Sequence, residues 1–221
     1  MNGIAQFFET FASSSGLLTR AMVLTLELTV VSILLGIVIG LFVALLKLSG
    51  IKALAWVSNA YIYLIRGTPL IVQIFILYFG LSGLFLIPDF WAASLALAFH
   101  NAAYIAEIFR GSIQSIDKGQ MEGATSLGMK RSLAMRRIIL PQAFRRALPP
   151  LGNQFIIGLK DSSLAAFISM NELFNVATTL GSNNFDEMTY LIIVAIYYLI
   201  LVGLLTLAVR AVERRMAISE R

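Results

Sequence analysis

The sequence contains no cysteine and only one histidine among its 221 residues. The absence of cysteine excludes disulfide bonds, thiolate metal ligands and a cysteine nucleophile. A single histidine cannot supply the several imidazole ligands of a zinc site, so we predict no metal centre. Charged residues are also scarce, at 13%, whereas 58% of the residues are hydrophobic. This apolar content exceeds what a water-soluble core could bury, and it predicts that lipid surrounds much of the protein.

The N-terminal segment carries no positive charge before Arg20. It therefore lacks the basic region of a cleaved secretory signal, and we expect it to remain in the mature chain. Four of its apolar residues recur at helical spacing and predict a short helix at the membrane interface: Ile4, Phe7, Phe8 and Phe11.

Long apolar stretches dominate the rest of the chain. A helix needs about 20 mostly apolar residues to cross a membrane, and five stretches are long enough: 22–46, 57–80, 91–109, 149–170 and 188–209. They are too long and too uniformly apolar for the alternating strands of a membrane barrel. We therefore predict an all-α polytopic fold of about five transmembrane helices in a single domain, residues 1–221. Arg66, Gly67 and Pro69 predict a kink or break in the second stretch.

The first stretch also carries a ridge of small residues at every fourth position: Ser32, Gly36, Gly40 and Ala44. Small side chains let two helix backbones approach closely within a membrane. This ridge predicts a packing contact and no chemistry.

The basic residues indicate how the chain is oriented. Of the 17 Lys and Arg residues, all but Arg20, Arg66 and Lys160 follow the first, third or fifth stretch. The opposite loops carry acidic residues and no basic ones. Because positive loops stay on the cytoplasmic side, we expect the N-terminus outside and the C-terminus in the cytoplasm. This topology also accounts for the net charge of +5 without a nucleic-acid partner.

The long cytoplasmic loop, residues 110–148, has the pattern of an organised docking element. Asp117 is placed to cap a short helix over residues 118–127, and Gly128 can adopt the left-handed conformation that ends it. A second helix is predicted over residues 132–139, and Pro141 is expected to start a further helix. A short helix lying across the membrane axis could transmit a push from another protein.

The same loop resembles the EAA motif, which marks permease subunits of ATP-binding-cassette (ABC) importers. The resemblance rests on seven residues: Glu122, Gly123, Ala124, Gly128, Ile138, Leu140 and Pro141. It implies that they form a coupling helix seated in a groove of an ATPase subunit. Gly123 departs from the usual alanine, at a cost of about 0.5 to 1 kcal/mol in helix propensity. A spacing like that of a phosphate-binding loop also occurs here, but Met129 stands where the lysine is required.

Further segments resemble the polar amino acid branch of these permeases, closest to the glutamine and cystine types: 65–70, 101–107, 148–154 and 159–164. The resemblance implies the type I importer fold in a bacterial inner membrane and a transport subunit that is not itself an enzyme. It also implies a second permease subunit, either a copy or a paralogue, two ATPase subunits and an external substrate-binding protein. ATP and magnesium would be used by the ATPase, and this chain would bind no cofactor.

Polar residues in the fourth stretch are candidates for the substrate pathway: Asn153, Gln154, Lys160, Asp161, Ser162 and Ser163. Ionisable groups at membrane depth are costly, by about 2.5 to 3.5 kcal/mol on insertion scales, so each needs a partner or a function. Two interpretations remain open. These residues line or gate a path for a zwitterionic ligand, or Lys160 and Asp161 satisfy each other or a neighbouring helix.

The second and third stretches add Thr68, Gln73, Asn101 and Tyr104 to the candidate pathway. In the third stretch, His100, Tyr104 and Glu107 form a polar stripe that must face protein or water. We predict that His100 is a hydrogen-bonded packing residue, that Glu107 pairs with Arg110, and that Arg66 supports the predicted break.

The main alternative function is an ion-coupled secondary amino acid carrier. Such carriers are usually built from internal repeats, and five spans without a visible repeat do not divide into matching halves. An intramembrane hydrolase would need a nucleophile with a base or a metal, for which a lone histidine and scattered serines are insufficient. The organised basic loop therefore favours the ATP-driven importer.

Overall fold

A computed structural model of the chain describes residues 3–82 and 87–217. These residues are almost entirely helical and contain no strand, which confirms the all-α prediction. Nine α-helices are described: α1 Gly3–Leu48, α2 Lys52–Gly67, α3 Leu70–Ser82, α4 Asp89–Gln114, α5 Lys118–Ser126, α6 Arg131–Ala134, α7 Leu140–Asp161, α8 Leu173–Asn184 and α9 Glu187–Ala217. A π-helical turn, Met135–Ile139, joins α6 to α7, and a 3-10 helix, Ser162–Ile168, follows α7.

Three of these helices are long and apolar enough to span a membrane within the described residues: α1, α4 and α9. Helices α2 and α3 qualify together as one broken span, and they meet at an angle of 105°. The break lies at Thr68 and Pro69, where the sequence predicted it. The fourth predicted stretch, 149–170, differs from expectation because α7 starts earlier, at Leu140, and narrows to a 3-10 helix at Ser162.

Helix α1 is much longer than the sequence predicted. The expected interfacial helix and first span are one continuous helix of 46 residues, about 69 Å long at 1.5 Å per residue. The serines of its first third bond back to carbonyls of the preceding turn, so they do not end the helix. Because a hydrocarbon layer is ~30 Å thick, part of α1 extends beyond it if the helix lies along the membrane normal. The first third of α1 packs on α9, where Phe11 stacks on Tyr197.

The centre of the fold is the contact between α1 and α4. The predicted ridge of small residues faces the alanine-rich side of α4, and Ser32, Gly36, Gly40 and Ala44 are all buried. A Cβ atom added at Gly40 would lie 2.8 Å from Ile105 Cγ2 and 2.9 Å from the Ala102 carbonyl oxygen. Only glycine fits this position, which confirms the predicted close packing.

In the basic segment 110–148, residues 132–139 are helical and α7 begins at Leu140 with Pro141 in its first turn, as predicted. The two helices are not separated, contrary to expectation. Residues 131–161 run on as α6, the π-turn and α7. The π-turn supplies the reason: the Leu140 N–H bonds to the Met135 carbonyl oxygen, five residues back. The wider turn accommodates Pro141, which has no N–H to donate.

Candidate functional site

Helix α5 is a nine-residue helix with a defined beginning and end. The Asp117 carboxylate accepts a hydrogen bond of 2.6 Å from the Gly119 N–H, as expected of an N-cap. At the other end, Gly128 has a φ of +83° and its N–H bonds to the Thr125 carbonyl oxygen. The Met129 N–H bonds to the Ala124 carbonyl oxygen, completing a glycine-terminated helix end. Both predicted ends of this helix are confirmed.

One side of α5 is held by the protein and the other is open. Ala124 is buried, and Met121 packs on a small cluster of Ile116, Ile139 and Ala143. Glu122, Gly123 and Gly128 are exposed, and Leu127 exposes 86% of its surface. Ile138 is half-buried, whereas Leu140 and Pro141 are exposed. An apolar side chain this exposed at a helix end, on the basic side of the chain, is suited to docking another protein.

Asn101 and Gln154 meet in the buried contact between α4 and α7. The Gln154 Nε2 donates to Asn101 Oδ1 at 2.8 Å, and the Asn101 Nδ2 donates to the Leu97 carbonyl oxygen at 2.8 Å. Asn101 is fully buried and Gln154 is 6% exposed. In this arrangement the two amides fasten α7 to α4.

Thr68, Gln73 and His100 close the break between α2 and α3. The Gln73 Nε2 donates to the Ile65 carbonyl oxygen and to Thr68 Oγ1, each at 2.8 Å. The remaining Gln73 oxygen lies 3.1 Å from His100 Nδ1, which therefore donates. Because this amide satisfies carbonyls freed by the break, the bend is an ordered feature. The structure confirms His100 as a hydrogen-bonded packing residue.

Arg66 and Glu107 lie on a polar cleft beside this break. The Arg66 guanidinium lies 5.1 Å from the centre of the Tyr104 ring, a cation–π contact that the sequence did not indicate. The Glu107 carboxylate pairs with Arg110 at 2.7 Å, as predicted, and also with Lys47 at 2.6 Å. The cleft has a volume of about 480 Å³.

The polar residues of α7 divide between two faces. Gln154 and Gly158 are buried, whereas Asn153 and Lys160 are exposed and Asp161 is half-buried. Ser162 is buried and donates to the Leu159 carbonyl oxygen, and Ser163 donates to that of Lys160. Among the described residues, no salt bridge joins Lys160 or Asp161 to each other or to a neighbouring helix, but the charge of Lys160 acts on the Asp161 carboxyl. Both interpretations of this segment, as a substrate pathway and as a pair that satisfies itself, stay open.

Comparison with known proteins decides the family. Residues 36–218 match the model of the family described as the binding-protein-dependent transport system inner membrane component. The chain belongs to this family. It is a membrane-spanning permease subunit of an ABC transport system, in agreement with the resemblance of the α5 segment to the EAA motif.

Relatives of the permease match along most of its length. It is 37% identical to the arginine transport system permease protein ArtQ of Bacillus subtilis, covering 89% of this chain and 91% of that one. Identity is 39% with the L-cystine transport system permease protein TcyB of B. subtilis (90% and 86%) and with the glutamine transport system permease protein GlnP of Escherichia coli (91% and 94%). These relatives are named as permeases and not as enzymes.

Solved structures support the fold of the permease. A chain from the crystal structure of an amino acid ABC transporter with histidines superposes with a TM-score of 0.90 at 39% identity, covering 94% of the permease and 98% of that chain. A chain of the inward-facing MetNI methionine ABC transporter has the same fold at 22% identity, with a TM-score of 0.80, covering 92% and 98%.

Sequence reasoning missed Glu172 of the permease, treating it as one acidic loop residue among several. It is fully buried and accepts hydrogen bonds from the Phe174 and Asn175 N–H groups and the Tyr198 hydroxyl. It thereby caps α8 and joins it to α9. Burial raises the pKa of Glu172 to about 7, against the lowering effect of these donors. Its place directly before a helical pattern was the only signal, and a weak one, because glutamate is not a preferred N-cap.

Proposed function

We propose that this permease imports polar amino acids, of the glutamine or cystine type, into the cytoplasm. The observation that supports it most is the exposed helix α5, which ends at Gly128. The relatives of the chain are named as amino acid permeases. The family assignment leaves no support for the ion-coupled carrier that the composition alone allowed.

Helix α5 is the proposed contact with the ATPase, and the EAA-like residues give it that role: Glu122, Gly123, Ala124, Gly128, Ile138, Leu140 and Pro141. Ala124 and Met121 fix the inner side of α5 to the cluster around Ile139, so a push on Leu127 is delivered to the π-turn and α7. Movement of α7 then reaches the membrane interior, because α6, the π-turn and α7 are continuous.

The proposed pathway runs along the exposed face of α7. Asn153 and Lys160 are exposed there, with Asp161 and Ser163 half-buried beside them. A lysine ammonium and a neighbouring carboxylate suit the two charges of an amino acid. Buried Ser162 lies in the same segment. Tyr104 of α4, with Arg66 over its ring, would add an aromatic face to the pathway. Asn101, Gln154, Thr68 and Gln73 hold the surrounding helices through satisfied hydrogen bonds.

The assembly we propose has the N-terminus outside and the C-terminus in the cytoplasm of a bacterial inner membrane. A second permease, identical or paralogous, pairs with this one. Two ATPase subunits bind and hydrolyse ATP with magnesium, and an external binding protein delivers the amino acid.

The test is uptake into proteoliposomes that contain the permease with its ATPase. With binding protein outside and ATP inside, labelled glutamine or cystine should accumulate, and a non-hydrolysable ATP analogue should abolish accumulation. Replacing both Lys160 and Asp161 with glutamine and asparagine should raise the concentration needed for half-maximal uptake while ATPase association persists. Accumulation driven by an ion gradient in the absence of ATP would contradict the proposal.

A further inference from the structure

An apolar groove runs between α7 and α9, with α1 at its base. Phe144, Leu148 and Phe155 of α7 form one wall, and Leu205, Val209 and Val212 of α9 form the other. Its volume is about 460 Å³. The groove is open on one side, so it presents a cleft to whatever surrounds the transmembrane helices.

Gly152 sets where the two walls meet. A Cβ atom added there would lie 2.5 Å from Val209 Cγ1, so α7 and α9 touch at this level. Both residues lie near the cytoplasmic ends of the predicted spans 149–170 and 188–209. The part of the groove nearest the end of α9 that carries the basic residues is therefore lined by Phe144, Leu148 and Val212.

Two arginines lie at this basic end of the groove. Arg145 precedes Leu148 by three residues and Gly152 by seven, and Arg215 follows Val212 by three and Ala208 by seven, so helical spacing puts each on the groove side of its helix. Both are exposed. Among the described residues neither has an ion pair or hydrogen bond. Glu213 is the one carboxylate in the lining, and the neighbouring Arg210 and Arg214 outnumber it.

We propose that this groove binds the acyl chain of an anionic phospholipid of the cytoplasmic leaflet, with its phosphate held by Arg145 and Arg215. Arg145 precedes the predicted span 149–170 by about one turn, at the depth of a lipid headgroup, and Phe155 lies six residues inside it, about 9 Å of helix. The groove therefore fits the upper part of an acyl chain in one leaflet, below a headgroup held at Arg145. A transmembrane helix from another subunit would need a groove along the whole span.

The test uses a tryptophan inside the groove. Phe155→Trp is made in a chain whose own tryptophans, Trp56 and Trp91, are replaced by phenylalanine. The chain is placed in nanodiscs in which brominated phosphatidylglycerol or brominated phosphatidylcholine replaces the ordinary lipid stepwise. Bromine quenches a tryptophan that it contacts. Both leaflets carry the same lipids, so the readout does not depend on the proposed orientation or on transport.

We expect quenching of the reporter to reach its half-point at a lower fraction of phosphatidylglycerol than of phosphatidylcholine. The preference should fall about fivefold for each arginine lost, since a basic side chain near an anionic surface contributes about 1 kcal/mol. The double variant Arg145→Gln/Arg215→Gln should lose it. The control Lys52→Gln/Lys130→Gln removes two exposed basic residues that do not line the groove and should keep the preference.

Two results would overturn the proposal. Equal or absent quenching by the two lipids would show that no anionic lipid is held there. Ready disulfide-linked dimers of an Ala208→Cys variant, possible because the chain has no cysteine of its own, would show that a second copy fills the groove.

Discussion

The contact between α1 and α4 and the short helix α5 use glycine for opposite reasons. Gly40 is needed because another backbone lies against it, whereas Gly128 is needed because its own backbone has a φ of +83°. The first is enclosed in the membrane part of the fold and the second is exposed at the end of a short helix in the basic segment. The comparison separates the part of the permease that must stay packed from the part that we propose must bind and move.

The two regions also differ in how their polar groups are satisfied. Around α4, buried amides bond to each other and to carbonyls, as in the Asn101 and Gln154 pair. On α5, Glu122 is exposed, and its carboxylate has no hydrogen-bond or ion-pair partner among the described residues. Unsatisfied groups are tolerable only in contact with water, or where a partner protein will cover them.

The largest loss of stability is expected from a substitution at the contact between α1 and α4. Gly40→Leu places atoms where Ile105 and the Ala102 carbonyl already lie, and overpacking of this kind costs about 1 to 3 kcal/mol or more. We expect the variant to unfold at a markedly lower temperature in detergent, or to fail to accumulate. Gly16→Ala in the same helix is the control, because a Cβ there meets nothing within 4 Å. If Gly40→Leu melted like Gly16→Ala, the close approach of α1 and α4 would be wrong.

The next effect is at the end of α5. Gly128→Val forces a β-branched residue into a left-handed conformation, which costs about 1 to 3 kcal/mol. We expect normal insertion and an unchanged melting temperature of the membrane part, with ATP-dependent uptake largely lost. Gly123→Ala should instead stabilise the helical conformation of α5 by about 1 kcal/mol, since nothing lies within 4 Å of the added Cβ. This variant should retain uptake. Full uptake by Gly128→Val would contradict the coupling role.

A smaller effect is expected at the link between α4 and α7. Asn101→Ala leaves the buried Gln154 amide without its acceptor, a loss of about 1 to 3 kcal/mol. Unfolding by a denaturing detergent should detect it. Asn153→Ala, one residue before Gln154 but exposed, should change stability by less than about 0.5 kcal/mol. An equal loss of stability in the two variants would contradict the assignment of Gln154 to a buried face and Asn153 to an exposed face of α7.

The smallest expected effect is a pH dependence from Glu172. Its folded-state pKa of about 7 lies above the ordinary value of 4.5, so the folded chain binds more protons than the unfolded chain between these values. Stability should therefore fall as pH rises through this window and level off above it. Glu172→Gln should remove most of the change in melting temperature between about pH 5 and about pH 8. The exposed Glu27→Gln should leave the slope unchanged, and a slope that survived Glu172→Gln would assign it to another group.

The local features of this permease could be predicted and the distant ones could not. The cap at Asp117, the end at Gly128 and the break before Pro69 each depend on a few neighbouring residues, and the structure has all three. The pairing of Lys47 with Glu107 joins residues 60 positions apart, and no local pattern reports it. The same holds for Arg66 above Tyr104 and for Glu172 beneath Tyr198.

Two differences from the sequence predictions have a common physical cause. The N-terminal helix was predicted apart from the first span, and a new helix was predicted to start at Pro141, whereas both segments are continuous with the helix beside them. In the folded chain the serine hydroxyls bond within the helix and a π-turn absorbs the proline. Helix propensities are weak where tertiary packing and membrane hydrogen bonding favour a continuous helix.

The most direct test of the account is a cross-link from α5. Leu127→Cys introduces a single cysteine at the exposed end of this helix, and Ala195→Cys, exposed on α9, serves as the control. The account predicts that a short cysteine-to-lysine cross-linker joins the purified ATPase to the Leu127→Cys permease and not to the control, with the yield changing when ATP is added. No adduct at Leu127, or an equal adduct at both positions, would contradict the assignment of α5 as the coupling segment.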